Sequence, residues 1–170
     1  MSDDFYAEVG RALRSKGFER RGHDPRARLV LLRASHGAYI GLYYLGQSAA
    51  HWGPYESICK AMRAQSARRR GLTFVIVLVS GDLGYVVDEP DFEKHHRMWS
   101  VTNAGKRNAF YHLNDETLKT FPMFRGAEAC ARLVQDVSTQ VPPCRDDLTV
   151  DIFRRPRPSR RSKWFAELGL

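Results

Sequence analysis

The ten residues from Val87 to His96, VDEPDFEKHH, hold four carboxylates, a lysine and two histidines, the densest set of groups in this chain able to bind a metal or move a proton. Asp88, Asp91 and Glu93, with Lys94 beside them, are the residue types that metal-dependent phosphodiester hydrolysis needs. Two or three oxygens must converge on one ion, with a lysine near the attacking water. The spacing argues for another use. Pro90 suits the first turn of a helix, which puts Asp88 at the N-cap and Asp91, three residues on, in the capping-box position. In a helix running to about Trp99, the residues Phe92, His95 and Trp99 share one face, while Glu93, His96 and Arg97 point elsewhere. The would-be ligands then diverge. The expectation is a structural helix start, with no catalytic residue, no metal and no cofactor. A nuclease using Asp88, Asp91 or Glu93 with Mg2+ stays open as an alternative.

Basic residues form the second constellation. The chain carries a net charge of +8, and half of that excess lies in residues 151–170. The excess is mostly arginine, whose planar fork makes paired hydrogen bonds to phosphate. Arg68, Arg69 and Arg70 fall at the end of a helical segment, Lys106 and Arg107 in a loop, and Arg20 and Arg21 before a hairpin. The tail adds Arg154, Arg155, Arg157, Arg160, Arg161 and Lys163. A basic surface that tracks phosphates is what nucleic-acid binding requires, so nucleic acid is the expected partner. A different class of function, a protein-binding adaptor or inhibitor, comes from the apolar residues around those tail arginines and from the aromatic strand Tyr39 to Tyr44 of the hairpin, given an open edge. Phe153, Trp164 and Phe165 are anchors with which an arm can lie in another protein's groove or along a second copy of the chain.

The elements that must position these groups follow from periodicity. Residues 3–17 place Phe5, Tyr6, Val9, Ala12 and Leu13 at helical spacing before Gly17, and 53–70 and 126–139 read as two further helices. ARLVLLRA and AYIGLYYLG, parted by Ser35-His36-Gly37, read as a hairpin. The run Leu72 to Val79 has no polar face and is expected to be a central strand buried on both sides, with Tyr85 to Val87 beside it. Ala109 to Leu113 reads as a short strand, and Asn114 or Asp115 as the cap of a short helix. The expected fold is a single α+β domain over residues 1–140, a mixed sheet flanked by helices, followed by an extended proline- and arginine-rich arm over 141–170. No apolar run reaches the roughly 18 residues needed to span a bilayer. The acidic N-terminus lacks the pattern of a secretion signal, which implies a cytoplasmic protein. Cys59, Cys130 and Cys144 form no CxxC pair and are odd in number, which argues against a disulfide framework and against zinc.

From Leu72 to Phe121 the chain resembles the later half of the restriction-endonuclease-like, or PD-(D/E)xK, nuclease fold. The resemblance is carried by TFVIVLVS, then GYVV, HHRMW and NAFYHL. The N-terminal order of elements resembles the αβββαβ core of that family, so the likeness covers about two-thirds of the chain. The family's signature is an aspartate at one strand and Glu-x-Lys on the next. Here Asp24 precedes the first expected strand and is followed by proline, while Ile40 to Leu45 contains neither acid nor lysine. Gln47 alone could replace a ligand. The resemblance therefore implies a degenerate member that binds nucleic acid without efficient catalysis. Tyr39-Ile40-Gly41 after a hairpin turn is also similar to part of the GIY-YIG nuclease motif, but Val30 and Leu31 stand where its first tyrosine falls.

Overall fold

The computed structural model describes residues 3–46 and 53–154. Their elements are α1 (Asp3–Ser15), β1 (Glu19–Asp24), β2 (Leu29–Arg33), β3 (Tyr39–Gly46), α2 (Glu56–Ser66), β4 (Leu72–Ser80), β5 (Leu83–Asp88), α3 (Glu89–His95), β6 (Ser100–Thr102), β7 (Phe110–His112), α4 (Asp115–Leu118), β8 (Met123–Arg125) and α5 (Ala127–Thr139). Two 3₁₀ turns, His96–Met98 and Val150–Phe153, complete them. Six strands pair in the order β1-β2-β3-β4-β5-β8, and β6 pairs with β7 apart from them. In the large sheet β3 and β4 are parallel and the other neighbours antiparallel. This is the α+β domain with a mixed sheet flanked by helices that the pattern of elements predicts. Among the described residues no helix is long and apolar enough to cross a membrane.

β4 organises the packing. Strand side chains alternate between faces, so Leu72, Phe74, Ile76 and Leu78 enter one core with Cys59 and Met62 of α2 and Phe92 of α3. Val75, Val77 and Val79 enter the other, against Phe5, Val9 and Leu13 of α1 and Cys130, Ala131 and Val134 of α5. Each such side chain fully withdrawn from water contributes about 1.5–3 kcal/mol, which is why a strand with no polar face belongs at the centre. The parallel pairing of β3 with β4 needs a crossover connection, and α2 supplies it.

Several elements depart from expectation. Glu19–Asp24, a polar stretch that no strand pattern marked, is an edge strand whose pairing with β2 is interrupted by a bulge between Arg20 and His23. Ser100–Thr102 and Met123–Arg125 are strands that no pattern marked. The helix after Asp88 stops at His95 and tightens into a 3₁₀ turn. His96, rather than His95, is the histidine buried in the core, because it stands four residues after Phe92 on the same helical face, its backbone N–H still bonded to the Phe92 carbonyl. Its ring stacks on Phe92 with centroids 4.6 Å apart, and its Nδ1 lies 2.8 Å from the Phe92 carbonyl.

The chain after α5 does not leave the domain where an extended arm was expected to begin. The Cys144 amide donates to the Gly37 carbonyl at 3.0 Å, and Val150 and Phe153 are buried. The Phe153 ring lies so close over Gly41 that a Cβ there would sit 2.8 Å from its Cζ. Residues 155–170 of the expected arm lie outside the described residues.

Candidate nucleic-acid interface

The acidic segment resolves first. Asp88 Oδ1 accepts a hydrogen bond from the Asp91 amide at 2.9 Å, the N-cap contact of α3. Glu89 accepts from Ser66 Oγ at 2.7 Å and from Thr73 Oγ1 at 2.8 Å, tying α3 to α2 and β4. Glu93 is gripped by the Arg63 guanidinium, with Nη2 2.8 Å from Oε2 and Nε on the other oxygen. Burial, reinforced by the neighbouring Asp88, raises the Asp91 carboxyl above its usual range. Asp24 Oδ1 accepts from the Arg26 and Ala27 amides at 3.1 and 3.2 Å, closing the turn between β1 and β2. Asp24, Asp88, Glu89 and Glu93 are thus each engaged by hydrogen bonds, while among the described residues the Asp91 side chain accepts none. Among the described residues no three His, Cys, Asp or Glu side chains gather as a metal site. Gln47 lies outside the described residues.

The basic residues divide into separate places. Arg68, Arg69 and Arg70 leave the C-terminal end of α2 and, with Pro142, Pro143, Arg145 and Asp146, line a cleft of about 680 Å³. The local chain path explains the meeting. Gly71 has φ +89°, a left-handed conformation open to glycine, and a Cβ there would lie 2.6 Å from the Cys144 amide nitrogen. The arginine turn and the segment 142–146 are therefore in contact at the end of the sheet where β3 and β4 begin. Among the described residues Arg68, Arg70 and Arg145 form no ion pair and are exposed, while Arg69 donates to Gln65 Oε1.

Lys106 and Arg107 sit elsewhere. With Lys60 they border a second cleft, of about 530 Å³, beside the N-terminal half of α2, whose 11 residues span roughly 15 Å. Lys60 is bonded to Glu56 at 2.5 Å. Arg21 is held by Glu19 at 3.1 Å and by Asp147, and Arg20 belongs to a cleft lined by α1 and β1–β3. Arg154 pairs with Asp151 at 2.9 Å and lies 3.6 Å from Asp24, so its charge is shared with two carboxylates. Phe153, read above as a partner anchor, is 8% exposed and occupied inside the domain over Gly41. Arg155, Arg157, Arg160, Arg161, Lys163, Trp164 and Phe165 lie outside the described residues.

Arg145 is the cleft residue that the linear pattern did not mark. It stands alone in VPPCRDD, beside two acids, and only the return of that segment to Gly37 and Gly71 joins it to the others. Pro142-Pro143, which rules out helix there, is the local trace of that rigid return. No protein-family model and no curated protein matches this chain.

Proposed function

We propose that the protein binds nucleic acid through the arginine cleft at the end of α2, on a fold of restriction-endonuclease type that lacks that family's metal-binding signature. The observation that carries the reading is the convergence of Arg68, Arg70 and Arg145 from two distant segments, exposed and forming no ion pair among the described residues, on one cleft with Arg69 and Asp146. Unpaired guanidinium groups held together repel one another, and a phosphate chain relieves that repulsion while accepting paired hydrogen bonds. The order α1-β1-β2-β3-α2-β4, with β3 parallel to β4, supports the αβββαβ resemblance. β3 carries neither acid nor lysine, and Asp88, Glu89 and Glu93 of the opening segment serve a helix cap and cross-links between elements. The proposed setting is the cytoplasm.

Anisotropy of a short labelled DNA duplex, titrated with the protein at about 50 mM and about 200 mM salt, tests the reading. Saturable binding that weakens steeply with salt is expected. Absence of binding at the lower salt overturns it. Plasmid incubated with Mg2+ or Mn2+ is expected to stay intact, and cleavage that an Asp91→Ala variant loses would return the acidic segment to catalysis.

A further inference from the structure

A different cleft, of about 540 Å³, is lined by α1 and by β1, β2 and β3, a size suited to a small molecule. Its walls are apolar, with Val9 and Leu13 from α1 and Leu32 and Leu42 from the sheet. Polar groups collect on it as well. His23 Nε2 lies 2.5 Å from Tyr44 Oη, and the Tyr44 ring packs on Tyr6 with centroids 4.6 Å apart. Among the described residues the buried Tyr6 hydroxyl finds no hydrogen-bond partner. A buried hydroxyl left so costs folding free energy that a ligand acceptor would recover. Burial, and next the neighbouring Tyr44, pushes its pKa up to about 12, which keeps it a donor at neutral pH.

Charge and space complete the description. Arg14 and Arg20 border the cleft, and among the described residues no carboxylate lines it. Gly10, inside the 13-residue α1, faces it, and a Cβ there would meet nothing within 4 Å. A helix-interior glycine is less stable than alanine, so α1 gives up helix stability at a point where any larger side chain would enter the cleft.

We propose that this cleft binds a small amphipathic anion, a carboxylate on an apolar alkyl or aryl body, with its head by Arg20, His23 and the tyrosine hydroxyls and its body beneath Gly10. Isothermal titration of the full chain with decanoate, decanol and decyltrimethylammonium is the test. Decanoate is expected to bind saturably at one site, with the neutral and cationic analogues at least tenfold weaker. Gly10→Leu fills the space and favours helix, so it should abolish binding without lowering the melting temperature. Tyr6→Phe and Arg20→Gln should each weaken binding severalfold. No saturable binding of decanoate, equal binding of the three probes, or undiminished binding by Gly10→Leu would overturn the proposal.

Discussion

Replacing Arg68, Arg70 and Arg145 together by glutamine in the full chain removes the three unpaired guanidinium groups of the arginine cleft. All three are exposed, and surface substitutions of this kind change stability by about 0.5 kcal/mol or less, so the melting temperature serves as the folding control. For duplex DNA each phosphate neutralised adds about 0.9 to the slope of log affinity against log salt. Three lost contacts therefore flatten the slope by about 2.7. Between about 50 and 200 mM salt, a fourfold change, that difference amounts to roughly a 40-fold convergence of variant and wild-type affinities. Anisotropy across four or five salt concentrations measures it. A parallel variant with Arg155, Arg157, Arg160, Arg161 and Lys163 changed to glutamine reports what the tail contributes. If the cleft variant keeps the wild-type slope while the tail variant flattens it, the cleft is not the binding surface.

Asp88→Ala removes the N-cap bond to the Asp91 amide and should cost about 1 kcal/mol in urea unfolding, a larger effect than an exposed aspartate without such a bond would have. Phe153→Ala should cost about 3 kcal/mol, because the ring fills the space over Gly41, and a loss below about 1 kcal/mol would contradict the docking of 150–153. Burial pushes the Cys130 thiol up to about 12 and raises Cys59 and Tyr43 as well. The folded chain then holds protons that the unfolded chain releases first. Stability is full below about pH 8.5 and declines above it by about 1.4 kcal/mol per pH unit for each thiol, so the urea midpoint should fall between about pH 8 and 10. A flat or rising midpoint would refute that burial.

What a short window of sequence contains was legible. The unbroken run of β4 demanded cover on both faces, and α1 and α5 showed stripes at helical spacing that match their buried residues. Asp88 and Asn114 cap α3 and α4 through side-chain bonds to the amide three residues on, a contact that needs no tertiary partner. What depended on pairing was hidden. The sequence ERRGHD of β1 has no apolar face, and it becomes a strand because β2 offers it a ladder. β8, three residues long, exists because β5 has a free edge beside it. His96, by contrast, was set on the wrong face although helical spacing places it four residues after Phe92, to whose carbonyl its backbone N–H is bonded.

One physical rule governs both constellations: charge available for binding is what remains after internal partners are served. A bare count of acids would overstate the first constellation, whose capping spacing already argued for a structural use. Asp88 is spent on an amide, Glu89 on two hydroxyls and Glu93 on a guanidinium, each a local bond that restrains the orientation a metal would need. Counting arginines in runs erred both ways. It included Arg154, which two carboxylates already neutralise, and omitted Arg145, a lone arginine beside acids in sequence that the fold carries to the Arg68–Arg70 turn. A long flexible side chain follows its backbone, so a basic surface is set by which loops meet rather than by which residues adjoin. The glycines show where they meet: Gly71 and Gly37 admit the returning segment at Cys144, and a side chain at Gly71 would push Arg145 away from the other arginines without touching any charge.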